Sequence, residues 1–144
     1  MAGVTGQSRA PDTSARPPDV DTGFWLWLAA LPLLTIGYLV DVVGTPAEHP
    51  PVLVYAVSIV FAIVVAAVVV TFLILMRHGY RWTRTVLTGG GIAAVVYTAT
   101  SLFTVERPTP VAITYAATVI VGSVLIVGGV FLLHRKDAHA FFTR

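Results

Sequence analysis

The sequence predicts an all-α, polytopic membrane protein: a four-helix up-down transmembrane bundle behind a disordered N-terminal tail. Composition is the first reason. Of its 144 residues 56% are hydrophobic and 11% charged, against roughly 25% charged in a soluble domain. The second is that the apolar residues are blocked into four runs, 24–43, 52–76, 86–105 and 111–133. Each is near or above the ~20 residues a helix needs to cross a bilayer core. The third is the placement of the basic residues, eight of nine of which fall on one side of the implied membrane.

The tail, residues 1–22, is rich in Pro, Ser, Thr, Asp and Arg and nearly free of bulky apolar side chains. Such a segment buries too little surface to offset chain entropy, so disorder is expected. The transmembrane domain then occupies 23–134, and 135–144 is a short basic tail. The first span opens on "FWLWLAALPLL". Its apolar run is too long for a cleavable signal, which makes it an uncleaved anchor. Trp25 and Trp27 suit its headgroup edge, and Pro32 should bend it mildly.

The second run, 52–76, holds 25 residues without a charge, many of them valine. Valine favours strand in water, but in lipid every backbone N–H and C=O needs a partner within the segment, so the run must be helical. As a helix it reaches roughly 37 Å, enough to span with some tilt. Apolar/polar alternation over about ten residues is missing, which excludes the outer-membrane barrel pattern.

Between the second and third runs stands "RHGYRWTR", with Arg77, Arg81 and Arg84. Arg9 and Arg16 lie before the first run, and Arg135, Lys136 and Arg144 after the fourth. The loops "GTPAEHPP" and "ERPTP" carry only Arg107. By the positive-inside rule both termini are cytoplasmic in a cell (inner) membrane. "RHGYRWTR" is then a topological anchor, with Tyr80 and Trp82 in the headgroup zone. A second reading is open. Were helix two to continue past Met76, Arg77, Arg81 and Arg84 would share one face with Trp82 nearby, a contact for anionic lipid or an acidic partner. Gly79 weakens that continuation. Thr109 and Pro110 read as N-cap and first position of the fourth helix. Short, proline-framed loops make spans one and two, two and three, and three and four antiparallel neighbours.

Helices in lipid associate where small residues permit close approach. Ser58, Ala62 and Ala66 line one face of span two; Gly90, Ala94 and Thr98 one face of span three; Thr118 and Gly122 one face of span four. Packing within the bundle is their first use, and contact with another subunit the alternative. Asp41, in "GYLVDVVG", is the one charge well within an apolar stretch. Such a carboxylate is either a proton- or cation-binding group or, given its place near the outer end of its span, an interfacial one.

Chemistry has little to work with. Without cysteine there is no disulfide, thiolate metal site or thiol nucleophile. None of the four histidines lies in mid-span, so the axial ligands of a membrane haem are missing. His134, Asp137 and His139 match no standard metal spacing. The outer loops are too short to build a catalytic pocket. No catalytic, cofactor or metal residue is assigned, and a net charge of +2 suggests no nucleic-acid partner.

"RPPDVDTG" leading into "FWLWLAALPLL", and "MRHGYRWTRTVLTGGG" leading into span three, resemble small four-span membrane proteins of actinobacteria. In that family a Pro/Arg-rich tail enters an aromatic-rich first helix, and an inner loop R-x-G-x-x-W-x-R precedes the third. Here that loop is Arg77, Gly79, Trp82 and Arg84. The resemblance implies four spans and a membrane, and no activity. The expected function is that of a non-catalytic accessory or scaffold subunit, bound through small-residue faces to another membrane protein or to its own copies. The alternative is a small proton-coupled transporter acting as a homo-oligomer, with Asp41 as its coupling group. The threading is tested by fusion: alkaline phosphatase joined after His78 should be inactive, and the same enzyme joined after Glu106 active.

Overall fold

The computed structural model describes Gly3, residues 16–44, Pro46 and residues 52–142. Most of the expected disordered tail, with Arg9, lies outside the described residues, as do Glu48, His49, Pro50, Pro51 and Arg144. The described chain forms α1 (Pro18–Gly44), α2 (Val52–Arg77), α3 (Arg81–Thr104), α4 (Thr109–Leu133) and a single turn, α5 (Lys136–His139). Each of α1 to α4 is long and apolar enough to cross a membrane. This is a multi-pass, all-α, four-helix transmembrane bundle.

Two helices begin earlier than hydropathy predicts. α1 starts at Pro18, inside the segment expected to be disordered. Proline suits an opening turn, where its missing N–H is no loss. Asp19 and Asp21 then place negative charge at the positive end of the helix dipole. The Val20 and Asp21 amides bond the Pro17 carbonyl at 3.1 and 3.4 Å, and Val20 is fully buried. α3 likewise starts at Arg81, five residues before its apolar run. Thr83 is buried there and donates its hydroxyl to the Tyr80 carbonyl at 2.6 Å. At α4 the capping residue is Pro108, and Thr109 and Pro110 occupy the first two helical positions, one residue along from the predicted register.

The α2–α3 connection shows whether helix two runs on through "RHGYRWTR". Helix two does not continue. Gly79 takes φ +85°, the Gly79 amide bonds the Met76 carbonyl at 3.0 Å, and the Tyr80 amide bonds the Leu75 carbonyl at 3.5 Å. Those two bonds around a left-handed glycine make a Schellman ending, which satisfies the last carbonyls of α2 and turns the chain. Arg77 therefore belongs to α2 and Arg81 and Arg84 to α3, so the three share no single helical face.

Neighbouring helices pack in sequence order, α1 on α2, α2 on α3 and α3 on α4, and the ring closes through α1 on α4, its most extensive seam. Small residues make that seam. A Cβ on Gly23 would sit 3.3 Å from Leu133, one on Gly37 2.7 Å from Thr118, one on Gly122 2.9 Å from Leu34, and one on Gly44 would collide with Val111. The pairs run in opposite directions along the two chains, so α1 and α4 are antiparallel. Trp27 is the central knob. Its indole lies within 2.7 Å of where a Gly91 Cβ would be and 2.5 Å of where a Gly129 Cβ would be, joining α1, α3 and α4. It is 5% exposed. Trp25, two residues earlier, faces outward and stacks edge-on against Phe24. Trp27 thus fills the bundle interior, where the sequence suggested a headgroup anchor.

The buried apolar cluster, with Phe24, Trp27, Leu73, Met76, Leu87, Ile126, Leu133 and Phe142, gathers in the arginine-rich half. Toward the other end α2 and α3 expose most of their surface, Val52 at 84% and Phe103 at 86%. In lipid that exposure carries no penalty. Replacing Gly91 or Gly129 by Leu should overpack the Trp27 slot and cost about 1–3 kcal/mol, whereas Gly89→Ala should not destabilise. Thermal unfolding in mild detergent separates the two outcomes.

Candidate functional site

The densest polar construction lies opposite the arginine-rich end, around Arg107. This residue sits in the short α3–α4 connection, and its side chain is 2% exposed. Three helices converge on it. Nε donates to Asp41 Oδ1 of α1 at 2.5 Å. Nη1 donates to the carbonyls of Ser101 and Val105 at 2.8 and 3.2 Å, and Nη2 to Ser101 Oγ at 2.8 Å. The guanidinium lies 3.9 Å from the ring centre of Tyr115 on α4. Buried charge is tolerated only when paired and hydrogen-bonded, and Arg107 meets both conditions. The hydrogen bond it donates to Asp41 raises its pKa above the ordinary value; burial opposes this, and the charge of Asp41 and the hydroxyl groups of Tyr115 and Tyr97 add to it. A guanidinium fixed in this way is a permanent cation at any working pH.

Asp41 is therefore half of an ion pair, its side chain 27% exposed. Sequence reasoning singled out Asp41 as the charge inside an apolar run and Arg107 as the basic residue on the wrong side of the membrane. The two exceptions are each other's partner. The signal that could have joined them is their common depth, near the same end of adjacent spans.

At the arginine-rich end the basic residues take separate duties. Arg77 donates to Asp21 at 2.8 Å and lies 4.5 Å from the Phe24 ring centre, with Arg16 3.6 Å from the same carboxylate. Arg84 is 9% exposed; its Nη1 approaches the Leu133 carbonyl at 3.5 Å and His139 Nδ1 at 3.1 Å, and its guanidinium stacks 5.2 Å from Phe142. It thereby sits on the negative end of α4 and ties the chain beyond α5 to α3. Arg135 reaches Asp19 at 3.3 Å. Trp82 is 51% exposed and packs edge-on against Phe72. Of the four residues predicted to meet lipid or a partner, only Arg81 and Trp82 present most of their surface outward.

The small residues divide similarly. Ser58, Ala62 and Ala66 are half-buried along α2, and Thr118 and Gly122 lie against Gly37 and Leu34 of α1. On α3, Ala94 and Thr98 are half-buried, but Gly90 is exposed, and a Cβ there or on Gly89 would meet nothing within 4 Å. Gly91 is the glycine that packs.

Among the described residues no group of three or more His, Asp or Glu is placed to hold a metal. His134 donates from Nδ1 to the Val130 carbonyl at 2.9 Å, while His139 accepts from Arg84. No protein-family model, curated protein or solved structure matches the chain. What the arrangement supplies is a clasp at each end of a bundle, with no obvious catalytic machinery among the described residues. Removing one partner of the Arg107–Asp41 clasp leaves the other charge buried. Asp41→Ala should cost about 2–3 kcal/mol, and Asp41→Ala with Arg107→Leu should recover most of that loss in the same unfolding assay.

Proposed function

We propose that this chain is a non-catalytic accessory subunit of a membrane complex, threaded with both termini in the cytoplasm and docked through the outward face of α3. The supporting observation is the pair Gly89 and Gly90. Glycine inside a helix costs about 1 kcal/mol relative to alanine, and the chain's own packing makes no use of either position, since both face open space. Ala93, one turn on, is also exposed. In lipid the gain from such residues is close approach of another helix, with van der Waals contact and Cα–H···O contacts in place of any hydrophobic drive. The thin core between α2 and α3 leaves this face free to receive one.

A proton-coupled transporter built on Asp41 draws no support from the site, because a coupling carboxylate must exchange partners with a pathway and Asp41 is bonded to Arg107. Purification of the tagged protein in mild detergent, followed by mass spectrometry, should recover a stoichiometric membrane protein. Gly89→Leu with Gly90→Leu should lose it without lowering the unfolding temperature. A monodisperse wild-type chain with nothing bound, or a double variant that keeps its partner, would overturn the reading.

A further inference from the structure

The arginine-rich end has a second feature, separate from the α3 face. Where α4 passes into α5, Phe131, His134, Arg135, Lys136 and Asp137 line an open depression of about 440 Å³. Phe131, on its lipid side, is 68% exposed. Four observations bear on what would fill it. First, the site lies at the end of a transmembrane helix, at the level where phospholipid head groups begin. Second, its cations are available. Lys136 makes no ion pair or hydrogen bond among the described residues, and Arg135 is half-exposed and commits one N–H to Asp19 at 3.3 Å, leaving most of its five donors outward. Third, Arg77 and Arg84, which the sequence offered for this role, are turned inward to Asp21 and to the Leu133 carbonyl. Fourth, the volume falls in the range of small-molecule sites and far exceeds what one inorganic phosphate fills.

We propose that this depression binds the head group of an anionic phospholipid, with the phosphate between Arg135 and Lys136 and an acyl chain lying along Phe131. Asp137 opposes a second negative charge, so a singly charged head group is favoured over a multiply charged one. Across the arginine-rich end as a whole, six basic side chains among the described residues face three carboxylates, Asp19, Asp21 and Asp137. The surrounding field therefore also favours an anion. Zwitterionic lipid presents the same phosphate with its own cation attached and gains less.

Native mass spectrometry of the full chain in mild detergent, titrated with phosphatidylglycerol or phosphatidylcholine, tests the site. The wild type should prefer phosphatidylglycerol. Arg135→Gln with Lys136→Gln should weaken that binding on the order of tenfold, from the loss of two near-surface cations. Arg81→Gln, at the other exposed arginine, should stay within about twofold. The charge-conserving pair Arg135→Lys with Lys136→Arg guards against a folding artefact and should retain binding. Excess glycerol 3-phosphate should not displace the lipid; displacement would mean a soluble phosphate ester is the ligand and would overturn the proposal. It would equally be overturned by unchanged binding in the glutamine pair, by an equal loss in Arg81→Gln, by failure of the charge-conserving pair, or by equal affinity for the two lipids.

Discussion

In a bilayer an apolar side chain gains nothing by leaving lipid for protein, so this bundle depends on fit, and the fit depends on Trp27. Its indole occupies a slot that exists only because residues 91 and 129 lack a Cβ. One side chain thereby brings three helices to a common axis. The contacts above and below it, from Gly23 with Leu133 to Gly44 with Val111, extend the same principle along α1 and α4. Dispersion is weak per atom pair and large when many atoms meet. The α1–α4 seam is where they meet.

Charge supplies what close packing does not, namely alignment of the helix ends. Asp19 and Asp21 of α1 are tied to Arg135 and Arg77, and Asp41 at its far end to Arg107. All three carboxylates of α1 are engaged, and the partners from other elements come from α2, the α3–α4 connection and the α4–α5 connection. The first span is thus pinned at both ends, while α2 and α3 retain open faces. Those open faces carry Gly89 and Gly90, and so the reading of this chain as one part of a larger membrane assembly.

Much of the architecture was legible in the sequence because hydrocarbon imposes a coarse rule: long uncharged runs must be helices. The four spans follow from it. Helix starts were less legible, because Pro18 and Arg81 begin helices through capping and dipole effects that an apolar run does not register. Glycine register was illegible for a similar reason. Gly90 and Gly91 are identical as residues and about 100° apart as positions, and which of them packs is decided by a tryptophan on another helix. The Asp41–Arg107 clasp stood in plain view as two isolated charges. Each was read against its own span, and only the fold shows that they meet. The spread of Arg77, Arg81 and Arg84 onto different tasks follows from one backbone angle at Gly79.

The closure of the ring has a consequence for biogenesis. Spans enter the membrane in order from the N-terminus, yet α1 finds its main seam in α4, the last to emerge. Phe141 and Phe142, just beyond α5, complete the other side: one lies against Gly79 and the other under Arg84. Until α4 is inserted, the glycine-bearing face of the first helix has no partner helix to receive. Until Phe141 is made, the α2–α3 turn likewise lacks its cover at Gly79. The first helix therefore completes its packing only after the fourth has entered, which makes closure of the ring a late step of assembly.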